Sequence, residues 1–164
     1  MQSHFPPYIS NILGRNVFHE MVFKNLIPSN EAIIFIAEPD MPKEDIGYYQ
    51  KILSKHFDNY ILSLFWDLEE EFGNYKIISD NEAKRILDFI LKHKKFVVTC
   101  AVGHSRSAGV AKVISVIKEF DGDIQKAMTD KNSNAYKIEN SQEFSPNKTV
   151  VNKILNIYNQ KMHS

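Results

Sequence analysis

Residues 96–120 constrain the fold more than any other part of the chain. Phe96-Val97-Val98-Thr99 is apolar and β-branched almost throughout, the pattern of a strand buried on both faces of a parallel sheet. It runs into a tight turn, Cys100-Ala101-Val102-Gly103-His104-Ser105-Arg106. From Ser107 to Phe120 apolar residues then recur at helical spacing, with Val110, Val113, Ile114 and Ile117 forming one stripe. A buried strand, a short turn and a helix are the repeating unit of α/β domains with parallel strands.

Two further runs read as strands, Ala32–Ala37 and Tyr60–Phe65, each too short for a typical helix. Between the runs lie helical patterns at Glu44–Lys55 and Asp80–Lys92, the second with Asp80 and Asn81 as candidate caps. Asp121-Gly122-Asp123 is expected to end the helix after the turn and to cap a short one, Ile124–Thr129. Asp130–Ser145 is polar and irregular, and is expected to be a surface loop with room for one turn of helix. Pro146 suits the first turn of a last helix reaching about Gln160, with Val150, Val151, Ile154, Leu155 and Tyr158 inward. Phe18–Lys24 is compatible with helix or strand. The expectation is an α/β fold: one domain over residues 1–164, with a central, mostly parallel sheet and helices on both faces.

The 20 basic and 20 acidic side chains cancel, which argues against a nucleic-acid-binding surface. The sole cysteine, Cys100, excludes an intrachain disulfide and fits a reducing compartment. Met1–Ser10 has two prolines and no apolar run suited to a signal peptide, and no stretch is long and apolar enough for a membrane helix. A soluble cytoplasmic protein with no membrane partner is the expectation. The histidines His4, His19, His56, His93 and His163 show no metal-ligand spacing.

The turn itself carries the chemistry. Open parallel sheets bind ligands at the carboxyl ends of their strands, and the first amides of the following helix have no intrahelical partners. Successive amides around such a turn make an anion cradle, and Gly103 permits the close approach it needs. Cys100 opens the cradle, where the helix N-terminus and Arg106 both favour the nucleophilic thiolate. Arg106 offers a planar fork to two phosphoryl oxygens. Ser107 is placed to donate a hydrogen bond to the sulfur when it leaves. Asp67 follows the run Tyr60–Phe65 at the same sheet edge and is the first candidate for a general acid, with Glu69 and Glu70 behind it.

The segment VVTCAVGHSRSAGVAKVI resembles the Cys-x5-Arg signature of protein tyrosine phosphatases, in particular the small dual-specificity-like class. The resemblance extends over roughly Ala32 to Ile157 and implies hydrolysis of phosphomonoesters through a phosphocysteine, without a metal or other cofactor. It assigns Cys100 as nucleophile, Ala101, Val102, Gly103, His104, Ser105 and Arg106 as the phosphate-binding loop, and Ser107 as the hydroxyl assisting thiolate departure. The separation of Asp67 from Cys100 is similar to the family's spacing between acid and nucleophile. Ser145-Pro146-Asn147 resembles the Pro-Asn that opens the family's last helix, which makes Asn147 a brace for the loop backbone or else an ordinary helix cap.

Relatives mostly have His before the nucleophile. Thr99 stands there in this chain, with a hydroxyl able to hydrogen-bond but without the imidazole's support for the ionised cysteine. His104 is expected to be an exposed loop residue. No Lys lies between Cys100 and Arg106, so the implied partner is a phosphorylated protein, phosphotyrosine favoured, rather than a highly charged headgroup. Two other readings stay open. A phosphate-binding module without turnover draws on Thr99, whereas arsenate reduction with the same loop generally needs resolving cysteines that this chain lacks.

Overall fold

A computed structural model describes residues 4–163. Four strands form one sheet: β1 (Ile9–Gly14), β2 (Ala32–Ala37), β3 (Asn59–Leu64) and β4 (Phe96–Cys100), in the order β1-β4-β2-β3. Every pairing is parallel, so the sheet is wholly rather than mostly parallel. Among the described residues there are seven helices: α1 (Arg15–Phe23), α2 (Lys43–His56), α3 (Asp80–Lys92), α4 (Arg106–Phe120), α5 (Ile124–Thr129), α6 (Asn134–Glu139) and α7 (Lys148–His163).

β2 shows how the sequence divides the two cores. Its six residues are all buried; Ala32, Ile34 and Ile36 enter one core, while Ile33, Phe35 and Ala37 enter the other. The period of two along a strand sends alternate side chains to opposite faces, so a strand covered on both sides must be apolar throughout. α1 and α2 cover one face with Phe18, Val22, Ile52 and Leu53; α3, α4, α6 and α7 supply the other. α4 lies inside this second layer between sheet and helices, and every residue from Arg106 to Ile117 is buried. The expected single apolar stripe is therefore a helix buried all round. Its polar members are neutralised locally, as where Lys112 Nζ meets Glu139 Oε2 of α6 at 3.0 Å.

Several local expectations are corrected. β1 was not read from the sequence, because Asn11 interrupts its apolar pattern and Gly14 ends it. Phe18–Lys24 lies in the helix α1 and its end. Ser79, not Asp80 or Asn81, caps α3 by accepting from the Glu82 amide at 3.1 Å. The polar segment 130–145 contains α6, capped by Ser133, with Ala135 and Ile138 buried in the core. Pro146 precedes α7 rather than entering it, and Asn147 Oδ1 accepts from the Val150 amide at 3.0 Å as the cap. Val150, Val151, Ile154, Leu155 and Tyr158 do face inward. Asp121, with φ 50°, and Gly122, with φ 83°, end α4, and Asp123 caps α5. Among the described residues, no helix is long and apolar enough to cross a membrane.

Candidate active site

Because all four strands are parallel, their carboxyl ends open on one edge, and each sends a residue there. Arg15 follows β1, Glu38 follows β2, Asp67 lies beyond β3, and the Cys100–Arg106 turn follows β4.

The turn is held from outside by its carbonyls. Ala101 O accepts from the Arg15 amide at 3.2 Å and His104 O from the Ser145 amide at 2.8 Å. Ser105 O accepts from the amides of Gly109 at 2.8 Å and Asn147 at 3.1 Å. With carbonyls outward, amides face inward. Among the described residues, the amides of Val102, His104 and Ser105 donate to no protein acceptor, and the Gly103 amide points to Cys100 Sγ at 3.3 Å. Ser105 occupies the N-cap of α4 but makes no side-chain cap bond, so the helix N-terminus stays open to an anion.

Gly103 makes this winding possible. Its φ is +84°, and a Cβ there would lie 2.4 Å from the Gly14 nitrogen and 2.7 Å from the Leu13 carbonyl carbon. The backbone of β1 thus runs directly against the turn. Gly103→Ala is expected to cost at least about 1–3 kcal/mol from backbone strain alone, read by urea unfolding, and to weaken oxyanion binding in parallel. An alanine variant of unchanged stability would contradict the contact.

Cys100 is 3% exposed, with Sγ 3.1 Å from Ser107 Oγ. When the sulfur is a thiolate, both the Ser107 hydroxyl and the Gly103 amide are donors to it. Arg106 is 5% exposed and is held by its two terminal nitrogens: Nη1 donates to Phe65 O at 2.9 Å, and Nη2 to Glu38 Oε1 at 3.2 Å. Its Nε is buried and has no partner among the described residues. A buried donor left unpaired is costly unless a ligand completes it, and an oxyanion in the cradle has that chemistry.

Asp67 meets the turn. Its Oδ1 accepts from Ser105 Oγ at 2.7 Å and from Asn147 Nδ2 at 2.9 Å. Asn147 Nδ2 also donates to Leu68 O at 3.1 Å. Asn147 therefore does three things: its amide holds the turn, its side-chain oxygen caps α7, and its side-chain nitrogen braces the Asp67 loop. The sequence posed brace and cap as alternatives, and the structure has both. Glu69 instead accepts from the Lys148 amide at 3.1 Å, at the start of α7.

Thr99 departs from its expectation. It is fully buried, and its hydroxyl finds no partner among the described residues, so its side chain does not hold the turn by a hydrogen bond. His104 is exposed, as expected. Two residues of this edge were missed, Glu38 and Arg15. Glu38 bridges them, with Oε1 to Arg106 and Oε2 to Arg15 Nη2 at 3.1 Å. Burial raises the pKa of Glu38, but its own amide, the Arg15 charge and the hydrogen bonds from Arg106 and Arg15 together outweigh it, leaving it below the usual glutamate value. The available signal was positional: a carboxylate immediately after a fully apolar strand stands at the ligand-binding edge.

This architecture is the dual-specificity-phosphatase-like fold of the cysteine-dependent protein tyrosine phosphatases. PTPMT1 in complex with PI(5)P superposes with a TM-score of 0.56 at 13% identity, over 94% of this chain and 91% of that one. The Cydia pomonella PTP-2 phosphatase gives 0.58 at 13% identity, over 91% of this chain and 84% of its own. Tk-PTP in the active form gives 0.53 at 12% identity, over 94% and 91%. At these identities the likeness is one of fold. No protein-family model matches the sequence, and no curated protein is similar to it.

Proposed function

We propose that this chain is a cysteine-dependent phosphomonoesterase acting on phosphoprotein, phosphotyrosine above phosphoserine or phosphothreonine. The observation that carries the reading is the cradle. Cys100 Sγ sits among hydrogen-bond donors at an open helix N-terminus, beside a buried arginine whose Nε is unpaired.

In the first step the Cys100 thiolate attacks phosphorus. The bond from phosphorus to the ester oxygen breaks, and Asp67 donates a proton to that oxygen. The loop amides and Arg106 stabilise charge spread over the equatorial oxygens. In the second step Asp67, now a carboxylate, takes a proton from the attacking water. The sulfur–phosphorus bond then breaks with Ser107 donating to the departing thiolate. With Asp67 Oδ1 occupied by two donors, Oδ2 is the oxygen that carries the transferable proton. These steps call on no metal.

The direct test is metal-free hydrolysis of an aryl phosphate by the wild type and by Cys100→Ser, followed by phosphotyrosine and phosphoserine peptides. A wild type no faster than Cys100→Ser would end the catalytic reading. Asn147 gives a second prediction. Asn147→Ala is expected to lose roughly 0.5–2 kcal/mol of stability through the α7 cap. It should also lose up to about 10²-fold in kcat through the displaced acid. A loss of stability with unchanged kcat would show that Asn147 is only a cap.

The loop's side chains (Ala101, Val102, His104, Ser105) and the acidic run Glu69-Glu70-Glu71 offer no basic cluster for a polyanionic headgroup. That favours a singly phosphorylated peptide over a phosphoinositide, although PTPMT1 has been crystallised with PI(5)P. A phosphate-binding module without turnover is the second reading, and the unpartnered Thr99 hydroxyl is the observation that favours it.

A further inference from the structure

The Arg106 guanidinium is held from outside the turn, by Phe65 O and Glu38. Its Nη2 is bound by Glu38, and the other oxygen of that carboxylate is bound by Arg15. The side chains of Arg15, Glu38 and Arg106 are 17%, 26% and 6% exposed, so water screens this chain of charges only weakly. A carboxylate beside the phosphate-gripping arginine has two opposed consequences. It fixes the guanidinium, and it cancels the charge that attracts an oxyanion. Arg15 resolves the conflict, because two guanidiniums sharing one carboxylate leave a net single positive charge.

Arg15 is itself well placed to act in this way. Its amide donates to Ala101 O of the turn, and it directly follows Gly14, whose backbone abuts Gly103. Its guanidinium carbon lies 5.7 Å from the Phe35 ring centroid and 6.0 Å from that of Tyr49, which fixes it between the sheet and α2. β1, β2 and the turn are thereby joined through charge as well as backbone.

We propose that Arg15 is a positioning residue for oxyanion binding, acting on Arg106 through Glu38 without touching the ligand. The proposal rests on the reading of the turn as a phosphate cradle. It assigns Arg15 two effects: it holds Glu38 in the orientation that aligns Arg106, and it offsets the Glu38 charge. Removing Arg15 leaves a single carboxylate paired with a single arginine, a net charge of zero, and a weaker field at the cradle. Removing Glu38 as well restores the single positive charge.

The test uses tungstate as a phosphate-like probe, with its Kd measured by calorimetry on the full chain, beside KM for an aryl phosphate. Arg15→Gln is expected to weaken tungstate binding by on the order of tenfold, the scale of one unit charge at partly buried range. The double variant Arg15→Gln/Glu38→Gln is expected to bind tungstate more tightly than Arg15→Gln alone. A merely structural role for Arg15 predicts the reverse order. Arg15→Lys keeps the charge but not the planar fork, and is the gentler change should Arg15→Gln fail to fold; it is expected to bind tungstate more tightly than Arg15→Gln and less tightly than the wild type. Thermal unfolding of each variant checks the fold.

Wild-type affinity in Arg15→Gln, a double variant no tighter than that single variant, or a folded Arg15→Lys as weak as Arg15→Gln would each overturn the proposal. A wild type that binds no tungstate would sink the cradle reading and the relay together. Tungstate binding without turnover would remove the phosphatase reading and leave the relay standing.

Discussion

Replacing Cys100 by Ser is expected to leave the fold intact and to lower aryl-phosphate hydrolysis by about 10⁵-fold or more, the scale of removing an enzyme's nucleophile. The side chain is small and buried, and its two neighbours, Ser107 Oγ and the Gly103 amide, serve an oxygen as readily as a sulfur. Packing therefore changes little, and the turn keeps its winding, because its carbonyls are tied to Arg15, Ser145, Gly109 and Asn147 rather than to the sulfur. What is lost is nucleophilicity: a serine hydroxyl near neutral pH is not ionised, and among the described residues no histidine is hydrogen-bonded to position 100 to take its proton. The variant should still bind tungstate. Circular dichroism, tungstate calorimetry and a metal-free rate assay together separate a lost nucleophile from a lost fold.

Asp67→Asn carries the second large effect. Removing a general acid typically costs about 10²–10⁴-fold. The loss should grow with the pKa of the leaving group: close to full for an alkyl or phenyl phosphate, and small for an activated aryl phosphate that departs unassisted. Asparagine keeps an oxygen for Ser105 and Asn147 to bond, so the loop should remain docked against the turn. A slope of log rate against leaving-group pKa that is the same in variant and wild type would move the acid to another residue. Glu69 would be tested next, although its bond to the Lys148 amide directs it to α7.

The fold was legible where burial is two-sided. β2 and β4 could be read directly, because a strand covered on both faces must be apolar without interruption, whereas the edge strand β3 was legible from its run Tyr60-Ile61-Leu62 and Leu64 although it is only half-buried. α3 and α7 were equally clear, since each presents one apolar face. β1 was hidden because an edge strand tolerates Asn11 and Gly14, and α6 because its apolar content is only Ala135, Tyr136 and Ile138 within a polar stretch. In α4 the helical period is evident in the sequence, but burial on every side is not. A helix sandwiched between a sheet and other helices buries its polar residues too, including Lys112 and Ser115.

The site followed the same logic. Residues adjacent in sequence to the turn could be named from its chemistry, and Asp67 could be named from its place after a strand. Side-chain partnerships across the edge could not, because they depend on which strands are neighbours. Glu38 reaches Arg106 since β2 lies next to β4, and Arg15 reaches Glu38 across β4 from β1. That strand order arises from crossovers whose direction the sequence does not state. Asn147 was seen at its position, but its three simultaneous bonds belong to the way α7 meets the turn and the Asp67 loop.

Turnover through this site requires Cys100 to form a covalent bond to phosphorus. Rapid acid quench of the wild type with a ³²P-labelled phosphotyrosine peptide, followed by proteolysis and mass analysis, measures this directly. A labelled fragment containing Cys100 is expected within the first turnover, absent in Cys100→Ser and accumulating when Ser107→Ala slows the second step. Turnover of the peptide with no label on Cys100 at any quench time, in either the wild type or Ser107→Ala, would contradict it.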